Sequence, residues 1–212
     1  MNESDARDLI VDMARSMFER RLTFGSSGNI SVKIAGGWLM TPTGSSLGRL
    51  DPARLSKIDD KGLLISGDAP TKESFLHLAM YRERANAGAV VHLHSTHSVA
   101  VSCLEDIDHD DVLPPITAYY AMRVGKLPLI PYFAPGDIAL GEAVGKLAAK
   151  HAAVLLANHG PVVSGSSLSA AVDAIEELEE TARLYLLLHG KPTRYLNRAQ
   201  IEDLKIRFAE KK

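Results

Sequence analysis

The 212-residue chain is 46% hydrophobic and 24% charged, which excludes disorder, collagen and coiled coil as descriptions of the whole and suits a single globular domain, residues 1–212. A net charge of −2 provides no basic field for nucleic acid or an anionic membrane, although small anions can still be held locally. Cys103 is the only cysteine, which excludes an intrachain disulfide and a multi-cysteine metal site and fits a reducing cytoplasm. The polar, acidic start MNESDARD is unlike a targeting signal, and apolar runs such as Ala152–Ala157 fall far short of a membrane span.

Ser4 is placed to cap a first helix, with Ile10, Met13, Ala14, Met17 and Phe18 recurring at helical spacing until the FGSSGN loop. Ile30, Val32 and Ile34 alternate, so Asn29–Ile34 reads as a strand, which Gly36-Gly37 turns into a second strand, Trp38–Thr41. The loop PTGSSLG follows, then a hairpin around Asp60-Lys61-Gly62. Thr71 can cap a helix from about Lys72 to Asn86. Ala89–His94 reads as a strand and Ser95–Leu104 as a helix. Pro114-Pro115 opens an irregular stretch leading to an edge-like strand, Leu127–Pro131. Helix Ile138–Lys150, buried strand Ala153–Ala157, long helix Leu168–His189 and last helix Asn197–Ala209 complete the chain. Strands paired by tight turns and interspersed with helices predict a mixed, largely antiparallel sheet with helices on its faces, not a parallel dinucleotide-binding sheet.

Three of the eight histidines stand out. His92 and His94 flank Leu93 at the end of an apolar strand, and residues two apart on a strand share a face about 6–7 Å apart. Both imidazoles can lean onto one metal ion, and His159 follows a second apolar strand in Asn158-His159-Gly160. Three histidines with an open position form a catalytic zinc arrangement, although hydrogen-bonded strand histidines are the commoner use of such residues. His97 reads as a packing or supporting residue and His77 as equally consistent with a structural role. His109, His151 and His189 read as surface residues. Glu73 is placed in the first turn of its helix, where it either caps the helix or aims a carboxylate at the metal. The loops GSSGN, PTGSS and PTKE are rich in backbone amides and hydroxyls suited to phosphate, yet none matches a nucleotide fingerprint.

The succession GSSGNIS, TPTG, Thr71-Lys72-Glu73, HLH and NHG resembles the class II aldolase and adducin family from about Arg7 to Tyr185. The resemblance implies a three-layer α/β/α fold around a mainly antiparallel sheet, and a four-fold symmetric homotetramer with active sites at subunit interfaces. It implies zinc held by His92, His94 and His159, with Glu73 ligating at rest and shuttling a proton during turnover. Asn29, Thr43, Gly44, Thr71 and Lys72 fall at phosphate-binding positions. A tyrosine after Pro115, Tyr119 in preference to Tyr120, would reach a neighbouring site as proton donor. Sugar-phosphate aldolases and epimerases of the family carry two serines before the acid, where this chain has Thr71-Lys72. PTGSS with TKE is most similar to the branch of 3-oxo-tetronate 4-phosphate decarboxylases.

Decarboxylation and aldol cleavage can share this scaffold. In a 3-oxo-tetronate 4-phosphate the ketone lies beta to the carboxylate, so loss of carbon dioxide leaves the same dihydroxyacetone phosphate enediolate that an aldolase makes by releasing an aldehyde. A metal stabilises the developing oxyanion and an acid protonates carbon 2. The expected function is therefore zinc-dependent decarboxylation of a phosphorylated sugar acid in the cytoplasm. The alternatives are a sugar-phosphate aldolase or 4-epimerase and a non-catalytic adducin-like binding module.

Overall fold

The computed structural model describes residues 2–134 and 136–208. Fifteen elements follow one another: α1 (Glu3–Glu19), β1 (Asn29–Ile34), β2 (Gly37–Met40), β3 (Ser56–Asp59), β4 (Leu64–Ser66), α2 (Ser74–Glu83), β5 (Ala89–His92), α3 (Thr96–Ser102), α4 (Ala118–Arg123), β6 (Leu129–Ile130), α5 (Ile138–Ala148), β7 (Ala153–Leu156), β8 (Gly160–Gly165), α6 (Leu168–Leu188) and α7 (Arg198–Phe208). The strands form one sheet in the order β4-β3-β2-β1-β5-β8-β7-β6. Every pairing is antiparallel except that of β6 with β7. The expected mixed, mainly antiparallel sheet is thus present.

Period-two alternation on the central strands divides the apolar side chains between two layers. Val91, Leu155 and Val163 face α1, α3, α4 and α6 through Ile10, Met17, Val101, Tyr120, Ile175 and Leu178. Val90, Val154 and Val162 face α2 and α5 through Leu76, Met80, Leu140 and Val144. Both faces of the central strands are dry, giving three layers, α/β/α, while β4 at the sheet edge is exposed. Among the described residues no helix is long and apolar enough to cross a membrane.

Several boundaries differ from the sequence reading, each for a local reason. The cap of α1 is Asn2, whose side chain accepts from the Asp5 amide, so the helix begins before Ser4. The second helix begins at Ser74, not Lys72. The Thr71 hydroxyl accepts from the Glu73 amide and the Ser74 amide donates to the Thr71 carbonyl, forming one turn ahead of the helix. It ends at Glu83 because Arg84 is extended (φ −122°, ψ 86°). The strand starting at Ala89 ends at His92, leaving Leu93 and His94 beyond it. The irregular stretch after Pro114-Pro115 contains α4, whose six residues are too few to display a helical period. Strand β8 has no clear strand pattern in the sequence because GPVVSG has turn-like ends, although the strand lies between β5 and β7. The last helix is Arg198–Phe208, and Ala209 lies outside the described residues.

Candidate metal centre

The functional side chains collect where four segments meet at one end of the central strands. Antiparallel register sets Asn29, the first residue of β1, beside His92, the last of β5, and sets His92 beside Val162 of β8. The turn joining β7 to β8 brings His159 to the same place. That turn needs unusual backbone: Asn158 has φ 56° and Gly160 φ 151°. A Cβ on Gly160 would lie 2.2 Å from the Leu93 carbonyl oxygen, so the close approach of the two histidine-bearing segments requires glycine there. The loops PTGSS and PTKE are zipped together. The Thr71 amide donates to the Thr41 carbonyl, the Thr43 amide donates to the Ala69 carbonyl, and Pro42 bridges Pro70. This docking holds Glu73 against the histidines.

Three imidazole Nε2 atoms face one another: His92 to His94 at 3.1 Å, His94 to His159 at 3.0 Å and His92 to His159 at 3.3 Å. Glu73 adds Oε1 at 3.1 Å from His159 and Oε2 at 3.5 Å from His92. The four donor atoms lie within 4.8 Å of one another. On His92, Nδ1 lies 2.8 Å from the Pro161 carbonyl, an acceptor only, so Nδ1 carries the proton and Nε2 presents its lone pair inward. Burial lowers the pKa of His92, and burial with the neighbouring histidines lowers His94 to about 3, so both are neutral at ordinary pH, the form a metal ligand requires. Two nitrogens of a tetrahedral site with metal–nitrogen bonds of 2.0–2.1 Å stand about 3.3 Å apart, close to the spacings found here. The donor set therefore fits a divalent metal.

Glu73 occupies the N-cap position of α2, not its first turn, and makes no capping bond. The capping alternative is thereby removed. Burial alone would raise its pKa, but the neighbouring imidazoles of His159 and His92 and the Asn29 amide favour the ionised form and hold the carboxyl well below its usual range.

A cavity of about 300 Å³ opens beside the cluster. Asn29, Thr43, Gly44, Thr71 and Lys72 all line it, with Glu73 and His94 at its inner end. Lys72 is exposed and makes no ion pair among the described residues. A second cavity of about 480 Å³ touches the other side of the cluster, with a wall of Phe24, Val99, Tyr132 and Phe133. Tyr119 is 59% exposed on α4 and lines neither cavity. Tyr120 is buried among core residues with its hydroxyl unpartnered, so it cannot extend toward another subunit.

The sequence reading missed two supporting groups. Ser31 bonds the ring of His77, which is fully buried, and Tyr81 in turn bonds Ser31. Glu179, on the apolar side of α6, accepts from the His97 and Ser98 amides at the start of α3. An acidic residue beside Leu178 in an otherwise apolar stripe was the available signal for Glu179. The histidines expected at the surface are exposed at His109 and His189, and His151 is half-buried.

The family model described as "Class II Aldolase and Adducin N-terminal domain" matches residues 8–186. A protein of Pectobacterium atrosepticum named 3-oxo-tetronate 4-phosphate decarboxylase is 50% identical over 204 residues, covering 96% of this chain and 94% of its own. A protein of Methanocaldococcus jannaschii named L-fuculose phosphate aldolase is 34% identical over 178 residues, covering 84% and 93%. Among solved structures, YgbL from Escherichia coli superposes with a TM-score of 0.94 at 48% identity, covering 96% of this chain and 99% of that one. The match over most of the chain, the shared fold and the four-donor cluster agree: this protein belongs to the class II aldolase and adducin family.

Proposed function

We propose that the protein is a metal-dependent carbon–carbon lyase that decarboxylates a 3-oxo-tetronate 4-phosphate to dihydroxyacetone phosphate and carbon dioxide. The observation that carries this reading is the four-donor cluster opening directly into a small, amide- and hydroxyl-rich cavity edged by an uncompensated lysine. Similarity to a decarboxylase at 50% identity over nearly the full length, against 34% to an aldolase, supports decarboxylation over aldol cleavage. We assign the metal, zinc, to His92, His94, His159 and Glu73, and the resident enzyme to a cytoplasmic homotetramer made of one domain per chain.

When bound, the metal supplies Lewis acidity toward the ketone and the adjacent hydroxyl oxygen of the substrate. The residues do the rest. Thr43, Gly44, Thr71 and Lys72 bind the phosphate or the carboxylate through amides, hydroxyls and one ammonium, which fixes carbon 2 near Glu73. The C1–C2 bond breaks, carbon dioxide leaves, and the electron pair moves into a C2–C3 double bond with charge on the C3 oxygen. Carbon 2 then takes a proton. Tyr119 of an adjacent subunit is the donor we favour, recovering its proton from water, and Glu73, ionised at rest, would first take up a proton from water in order to deliver one to that carbon.

The second reading, a sugar-phosphate aldolase or epimerase, draws on the apolar cavity beside His159, which would suit an aldehyde leaving group. A non-catalytic binding module does not fit the complete donor set. The decisive test is to incubate zinc-loaded protein with phosphorylated 3-oxo-tetronates and, separately, with aldol substrates such as fuculose phosphate. Carbon dioxide release without aldehyde is the expected result. Aldehyde release alone would replace this reading by the aldolase.

A further inference from the structure

A buried chain of hydrogen bonds runs from the sheet interior to Glu73. Asn29 Nδ2 lies 2.7 Å from Glu73 Oε2, and Asn29 Oδ1 lies 2.5 Å from His77 Nε2. His77 Nδ1 lies 2.7 Å from Ser31 Oγ, which lies 2.9 Å from Tyr81 OH. His77 and Ser31 are fully buried, and Asn29 and Tyr81 nearly so.

Donor and acceptor inventory fixes the direction of every link. An ionised Glu73 only accepts, so the Asn29 amide must present its NH₂ group there and its carbonyl to His77. His77 must therefore carry a proton on Nε2. A carboxylate reaches this ring only through Asn29, and burial depresses the His77 pKa to about 3, so the ring is neutral and Nδ1 is an acceptor. Ser31 must then donate to Nδ1, and Tyr81 must donate to Ser31. No link can be reversed without two acceptors or two donors meeting in a dry interior, each such mismatch leaving a buried polar group unpaired.

We propose that His77 is a positioning residue for Glu73: held as its Nε2–H tautomer by Ser31 and Tyr81, it pins the Asn29 amide so that only an N–H can face the carboxylate. Without the His77 donor the amide is free to rotate, and its carbonyl oxygen would meet a carboxylate oxygen at hydrogen-bond distance. Like partial charges would then turn Glu73 away from His92 and His159. The inference rests on the reading of Glu73 as the proton-transferring ligand. It extends that reading by explaining why Asn29, though lining the anion cavity, has only one remaining N–H for a ligand.

The test has two arms. In the first, ¹⁵N NMR of histidine-labelled, zinc-loaded protein is expected to report His77 protonated on Nε2 and bare on Nδ1 throughout pH 5.5–8. A proton on Nδ1, or on both nitrogens, overturns the proposal whatever the enzyme turns over. In the second, His77→Leu is expected to lower kcat by about 10–100-fold with KM changed less than about threefold, the scale on which such supporting groups act. His77→Gln, whose amide can still donate to Asn29 Oδ1, is expected to recover most of the loss. If His77→Leu does not fold, Ser31→Ala serves: it removes the donor to Nδ1, so the Nδ1-bare signature should give way to mixed tautomers with a smaller drop in kcat. Equal losses in His77→Leu and His77→Gln, or an unchanged tautomer in Ser31→Ala, refute the pinning role. Absence of turnover in the wild type with its intended substrate would count against the proposed reaction and leave the NMR arm decisive for the tautomer.

Discussion

At the residue scale the proposed site separates groups that would touch the substrate from groups that hold those groups in place. Lys72 is the sharper test of substrate class. It lies at the rim of the 300 Å³ cavity, where a doubly anionic substrate presents a phosphate and a carboxylate. A charged hydrogen bond in a partly buried site contributes about 1–3 kcal/mol, so Lys72→Ser is expected to lower kcat/KM on a 3-oxo-tetronate 4-phosphate by about 10–100-fold while metal content stays unchanged. An unaltered kcat/KM would remove Lys72 from the site. Glu73→Gln retains shape but loses the proton-transferring carboxylate, and should lower kcat by at least about 100-fold with a melting temperature close to wild type. His77 yields a prediction about pH. Its folded pKa of about 3 is below the unfolded value of about 6.5. Above pH 6.5 both states are neutral and His77 adds no slope. As pH falls below that point the unfolded chain takes a proton that the folded ring, buried and near His92, refuses. Stability should fall by up to about 1.4 kcal/mol per pH unit until the folded ring titrates. His77→Gln should lack this increment in urea melts compared between pH 7.5 and 4.5. Parallel pH dependences for the two proteins would contradict the assignment.

At the element scale, short connections aim the ligands. His94 and Ser95 lead straight into α3, whose first amides are held by Glu179 of α6: Oε1 accepts from the His97 amide at 2.9 Å and from His97 Nδ1 at 2.8 Å, and Oε2 from the Ser98 amide at 2.8 Å and hydroxyl at 2.6 Å. Removing one carboxylate leaves several buried donors without a partner, so Glu179→Ala should cost about 2–4 kcal/mol in stability and weaken metal binding through the adjoining His94. Chemical denaturation and metal titration read these two effects separately, and an intact metal affinity would confine Glu179 to a purely structural role. The elements also show what a sequence can reveal. His92, His94 and His159 were legible as candidates because the ends of apolar strands are local signals, although β5 stops at His92 and His94 lies beyond it. For Glu73 the residues alone left capping and metal-facing readings open and the family resemblance alone made it a ligand, because only the docking of the 42–46 and 70–73 loops decides whether its carboxylate caps the helix or faces the histidines. Strand β8 was hidden by its own glycines and proline, and α4 by its brevity. Ser31, Tyr81 and Glu179 had no local mark beyond an unexpected polar group at a buried position. Their partners lie 46, 50 and about 80 residues away in the chain, a separation that pattern reading does not bridge.

At the scale of the whole molecule, one chain holds the four-donor cluster and the cavities beside it, but neither cavity is lined by Tyr119 or Tyr120. Tyr120 is fixed in the core, whereas Tyr119 stands exposed beside Arg123, whose guanidinium lies 5.4 Å from its ring centre. If the active unit is the four-fold ring proposed above, each contact is head-to-tail, and a site on one subunit takes its tyrosine from one neighbour only. The consequence is quantitative. Tyr119→Phe and Glu73→Gln subunits are each expected to assemble into inactive rings. When the two are unfolded together in equal amounts and refolded, a site works only if its own chain carries Glu73 and the donating neighbour carries Tyr119. Random mixing satisfies both conditions at about one quarter of the sites, so about 25% of wild-type activity per site should return. Mixing without refolding should restore nothing until subunits exchange, which separates complementation from residual parental turnover. An active monomer in sedimentation at assay concentration, or a refolded mixture no better than its parents, would place the proton donor within a single chain, and the search would return to Glu73 alone.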